Sequence, residues 1–129
     1  MTGRSVATLG QAGAAATGLR ALGPEIVLVT SIEVESDRIA MLAAGRDGVW
    51  TVETPRLPVM LNGCGDVAAA LFLGRLLHGE GLPDALARMA ASMYGIIETT
   101  MRLGRYELAL VAGQEQLVAP SLDVTARKL

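Results

Sequence analysis

The segment Asn62-Gly63-Cys64-Gly65-Asp66 is the one place in this sequence where residue types, spacing and setting converge on a reaction. Glycines on both sides of a small residue let successive backbone N–H groups point into one concavity, and a following helix adds the positive end of its macrodipole. A phosphate fits such a concavity. Asp66, in the first turn of that helix, stands where a base could take a proton from an attacking hydroxyl, which is the second requirement of phosphoryl transfer. Taken alone, Gly-x-Gly-Asp reads better as a tight turn with an aspartate cap, because Asp caps helices well and Gly suits turns. The setting changes that balance. Thr54-Pro55-Arg56-Leu57-Pro58, a two-proline loop, precedes the turn and an almost wholly apolar run follows it. The turn therefore falls at the edge of a sandwiched core, where α/β folds collect ligands.

The elements that must hold this turn follow from periodicity. Ser5 to Leu22 is Ala-rich, with Leu9, Ala16, Leu19 and Leu22 near helical spacing, and Gly23-Pro24 stops the pattern, so a helix is predicted. Glu25 to Thr30 (EIVLVT) is short, β-branched and nearly all apolar, as expected of a strand buried on both faces of a parallel sheet. Arg38 to Ala44 and Val49 to Thr54 flank Gly45-Arg46-Asp47-Gly48 and predict a hairpin. After Asp66, VAAALFLGRLL is apolar on almost every side, which predicts a helix buried between layers. His78 beside the glycines that end it reads as a surface cap. Leu82-Pro83-Asp84 opens the next helix, to about Leu103, with Leu86, Met89, Met93, Ile96, Ile97 and Met101 on one face and Gly104 closing it. Glu107 to Val111 predicts a last strand, and the tail from Gln114 has room for one short helix.

Composition bounds the class. A chain of 129 residues suits one core, and with aromatics at 3% that core must be aliphatic. The net charge of −2, without a Lys/Arg run, gives no support to nucleic-acid binding. A single cysteine rules out an intrachain disulfide and any Cys-based zinc cluster, which fits a cytoplasmic location. Met1 to Gly10 lacks a secretory pattern, and the apolar stretch Val67 to Leu73 is too short for a membrane span, so no membrane role is expected.

NGCGD followed by VAAALFLGRLLHGEGLPDALARMAASMYGIIETT, together with the ending YELALVAGQEQLVAPS and a terminal RKL, resembles the C-terminal part of bacterial pyridoxal kinases of the ribokinase-like superfamily. The resemblance runs from Met1 to Leu129. It implies the C-terminal part of a three-layer αβα sandwich, with a mostly parallel sheet and a hairpin, as a single partial domain. It further implies ATP-dependent phosphorylation of the 5′-hydroxymethyl group of pyridoxal, with Asp66 as catalytic base and Gly63, Cys64 and Gly65 as the anion hole. Thr30 and Ser31 would meet ATP phosphates, and Thr54, Pro55, Arg56 and Leu57 would line the nucleotide site. Cys64 departs from the family's usual Thr or Val; at a helix N-terminus its thiol pKa could be depressed, although filling a turn is the plainer role.

In the family an Asn-x-x-Glu segment helps hold magnesium, and it would precede Met1, so this sequence offers no metal ligands. The N-terminal half with the pyridoxal pocket is likewise outside it. The chain is accordingly expected to need ATP, Mg2+ and a pyridoxal-type substrate by family, yet to be inactive alone. Its protein partner would be a second copy in a homodimer or a missing N-terminal half. The alternatives are a non-catalytic remnant or split-kinase subunit, and, among enzymes, a hydroxymethylpyrimidine kinase.

Overall fold

Four strands in the order β1-β2-β3-β4 form a sheet with a helix layer on each side, in a computed structural model that describes residues 8–59 and 61–129. Helix α1 (Leu9–Arg20) starts where the Thr8 hydroxyl accepts the Gln11 N–H at 3.1 Å, the bond expected of an N-cap. Ala12, Gly13 and Ala16 form its buried face, and small residues there let the helix lie close on the sheet. The expected start at Ser5 lies outside the described residues. Gly23, at φ 141°, turns the chain toward the sheet.

Strands β1 (Val27–Glu35), β2 (Arg38–Gly45) and β3 (Gly48–Pro55) pair antiparallel, and β4 (Arg127–Lys128) pairs antiparallel with β3. The expected mostly parallel sheet is thus corrected. Its physical reason is connection length: Ser36-Asp37 and Arg46-Asp47 join consecutive strands, and only antiparallel neighbours can be joined so tightly. The hairpin around Gly45 to Gly48 stands as expected, with Gly45 opposite Gly48. The strand read as ending at Thr30 instead continues to Glu35.

That continuation passes through a bulge. Val29 pairs with Leu42 and Ile32 with Ala40, so two residues, Thr30 and Ser31, stand against Met41 alone. Ser31 takes φ 61°, the left-handed region that costs a non-glycine residue about 1–2 kcal/mol. The extra residue resets the alternation of faces. Before it, Leu28 faces the α3 side and Val29 the α1 side; after it, Ile32 again joins the α1-side cluster of Ala12, Ala16, Leu42 and Ala44.

On the other side, α3 (Leu82–Arg102) covers the sheet with Leu86, Met89 and Met93, packed with Val52 and Ala43. Pro83 lies in its first turn, where no N–H is needed. The expected face is buried at Leu86, Met89, Met93 and Ile96, while Met101 is 37% exposed. Helix α2 (Cys64–Leu77) packs on α3 through Ala68 and Phe72. It was expected to be buried between layers, but Leu73 and Leu77 are 56% and 78% exposed. The sheet-facing place is held by α3, which leaves α2 on the outside with one face uncovered. His78 is its exposed C-cap, as expected.

Glu107 to Val111 is not a strand. Glu107 makes one isolated parallel bridge to Asn62. Beyond it the Ala109 N–H donates to Thr100 Oγ1 at 2.9 Å and the Gly113 N–H to the Ala109 carbonyl at 2.8 Å. These bonds to α3 and within turns take the place of a ladder. The short helix α4 (Gln114–Val118) follows, and the Leu129 N–H closes the sheet on the Val49 carbonyl at 2.8 Å.

Candidate active site

Gly63 takes φ 86°, a conformation glycine adopts without a Cβ penalty, and swings the chain into α2. The first backbone bond of the helix is donated by Val67 to the Gly63 carbonyl at 3.1 Å. The N–H groups of Cys64, Gly65 and Asp66 therefore have no intrahelical acceptor, and no side chain caps them from Gly63. A Cβ placed on Gly63 or Gly65 would meet nothing within 4 Å, so the space beside the turn is open. Asp66 lies in this first turn with its side chain exposed.

Next to the turn is a cavity of about 430 Å³ between the sheet and helices α2 and α3. Of the residues singled out from the sequence, it brings together Thr30 and Ser31 at the bulge, Thr54, Pro55, Arg56 and Leu57 at the end of β3, and Cys64 and Gly65. Gly63 and Asp66 are not among its walls; they belong to the same turn but stand outside the cavity. The loop after β3 is tied down at its root, where the Arg56 N–H donates to the Asp37 carbonyl at 2.8 Å.

Several walls were not singled out. Ile39 and Met41 alternate along β2, opposite Thr54 and Val52, and Ala90, Met93, Tyr94 and Ile97 form a helical stripe on α3. The signal was present in the stripe, whose methionines read as core. Met93 is in fact both: it is 1% exposed and lines the cavity. Glu33 was missed because it faces the cavity only after the bulge has reset the strand.

Burial pushes the Cys64 thiol up from its ordinary pKa, the opposite direction to the depression considered for a helix N-terminus. Tyr94 is also raised, first by burial and then by the charge of Glu98 and a hydrogen bond to it. Among the described residues, no three His, Cys, Asp or Glu side chains stand together as metal ligands.

No family model matches the chain. Pyridoxal kinase PdxY of Rubrobacter xylanophilus is 50% identical over 133 residues, which takes in 100% of this chain and 46% of that protein. The crystal structure of pyridoxal kinase from Entamoeba histolytica superposes with a TM-score of 0.86 at 24% identity, over 99% of this chain and 46% of that one. Pyridoxal kinase from Leishmania donovani in complex with ADP superposes with a TM-score of 0.85 at 22% identity, over 96% of this chain and 45% of that one. These two likenesses establish the fold, which this chain shares with part of those two kinases. The chain spans about half the length of the relatives it matches.

Proposed function

Because this chain is a relative of the pyridoxal kinases and corresponds to their C-terminal region, we propose that it carries the nucleotide half-site and the catalytic base of such a kinase, within one partial domain. The cavity supports this reading best: segments far apart in sequence, at Thr30, Thr54 and Cys64, meet beside a helix N-terminus with free N–H groups. The nucleoside of ATP lies against Met41, Met93 and Ile97, and its phosphates reach the open turn Gly63-Cys64-Gly65. Thr30 and Ser31 offer hydroxyls to the same phosphates.

Asp66 takes the proton of the 5′-hydroxymethyl group of pyridoxal. The hydroxyl oxygen bonds to the γ-phosphorus, the bond to the bridging oxygen breaks, and ADP leaves. Among the described residues no three acidic, His or Cys side chains stand together, so a magnesium ion here would rest mainly on the nucleotide phosphates and water. Protein ligands for a metal, and the groups that read the pyridine ring, belong to a first half outside this chain.

That half is also the protein partner we assign. Among the described residues β1 ends the sheet with one edge unpaired, carrying Val27, Leu28 and Val29, and such an edge accepts a further strand. No helix among the described residues is long and apolar enough to cross a membrane, and a cytoplasmic site suits a kinase that draws on ATP.

Calorimetric titration of the 129-residue chain with ADP, followed by an assay with ATP, magnesium and pyridoxal, tests the proposal. Binding without turnover is expected. Turnover at an ordinary kinase rate would refute the half-site reading, and absence of ADP binding at millimolar concentration would refute the nucleotide site.

A further inference from the structure

Among the described residues that line the cavity, Arg56 is the one cation and Glu33 the one anion, and they are paired, Nη2 to Oε1 at 2.9 Å. They come from different strands' ends. Glu33 is opposite Ile39 on β2, and Ile39 is opposite Thr54 on β3, two residues before Arg56. The ion pair therefore straddles β2 at Ile39, itself a wall of the cavity, and forms a solvent-exposed part of the cavity's rim.

This placement depends on the bulge. In an unbroken strand, Ile32 and not Glu33 would share the face of Leu28 and Thr30, because faces alternate with every residue. The additional residue at Thr30-Ser31 sends Ile32 to the α1 side and presents Glu33 to the cavity. A strained backbone at Ser31 is thus associated with a carboxylate beside an anion-binding site, where electrostatics alone would disfavour it.

Resting on the nucleotide reading above, we propose that Glu33 sets nucleotide affinity by holding Arg56 at the rim of the cavity, so that binding requires Arg56 to exchange this carboxylate for a phosphate oxygen. The exchange is easy in physical terms. Both side chains are largely solvated, at 44% and 68% exposed, and ion pairs of that kind are weakly held. A phosphate offers the guanidinium a more highly charged partner with matching two-oxygen geometry. The backbone of Arg56, fixed to Asp37, stays in place while its side chain turns.

The test compares ADP with adenosine, which lacks the phosphates, in calorimetric titrations of wild-type chain, Glu33→Gln and Arg56→Gln. Because both side chains are exposed, neither substitution removes core packing. Glu33→Gln should tighten ADP binding about two- to fivefold, the range open to one exposed ion pair. Arg56→Gln should weaken it about tenfold, as expected for the loss of a charged hydrogen-bond donor to phosphate. Adenosine affinity should stay the same in both. Weaker or unchanged ADP binding by Glu33→Gln overturns the inference, as do parallel changes for the two ligands. If wild-type chain binds ADP and Glu33→Gln matches it, only this inference falls; if wild-type chain binds neither ligand, the nucleotide site falls and takes the inference with it.

Discussion

Helices α2 and α3 follow one another on the same side of the sheet, yet α2, apolar nearly all round, buries two of its 14 residues while α3 buries 12 of 21. The difference lies in pattern rather than in apolar content. α3 has a polar side, so its apolar side is committed to one neighbour, the sheet. α2 has no such division. It packs on α3 through Ala68 and Phe72 and leaves Leu73 and Leu77 in solvent. Its clearest local contribution is at its end, where Gly63 frees the N–H groups and Asp66 stands in the first turn. One helix acts through its flank and the other through its tip.

Three experiments can break or sharpen that contrast. The largest effect belongs to the tip of α2: in an assembly of this chain that phosphorylates pyridoxal, Asp66→Asn should lower kcat by about 10²–10⁴-fold, the usual contribution of a positioned base. Steady-state kinetics with ATP varied reads it, and an unchanged kcat removes Asp66 as the base. Next come the flanks. Leu86→Ala on α3, fully buried, should cost about 2–5 kcal/mol in urea unfolding, whereas Leu77→Ala on α2 should stay within about 0.5 kcal/mol. Equal costs would mean that the outer face of α2 is covered in solution.

The smallest effect concerns Cys64. Its pKa is raised by burial, so at neutral pH the thiolate is scarcer than for a free cysteine, and the rate of alkylation should climb with pH to a midpoint above the ordinary value of about 8.5. ADP should slow the reaction further by filling the cavity that Cys64 lines. A midpoint below the ordinary value would show the helix end prevailing over burial.

Much of this molecule is legible without coordinates, and the reason differs by element. The hairpin at Gly45 to Gly48 and the start of α3 at Pro83 are written in residues whose backbone preferences are local, so spacing suffices. The glycine turn is legible for the same reason. Strand direction is not, because EIVLVT carries the same apolar run whichever way its neighbour points. Glu107 to Val111 has the composition of a strand, yet the Ala109 N–H is taken by Thr100 and that of Leu110 by a turn, a tertiary outcome. The walls on β2 and α3 escaped for a further reason: a methionine that packs a core and a methionine that lines a cavity beside it have identical periodicity.

The bulge at Ser31 has one more consequence. A single residue there decides which of two neighbours, Ile32 or Glu33, is turned toward the cavity. Deleting one residue from Thr30-Ser31 would straighten the strand and leave Ile32 under α1 and Glu33 at the cavity, whereas pairing both residues in regular alternation would exchange a charged wall for an oily one and push a carboxylate into the alanine-lined layer under α1. The character of that wall is thus stored in the register of β1 on β2, and a shift of one pairing position can rewrite it as thoroughly as any change in amino acid.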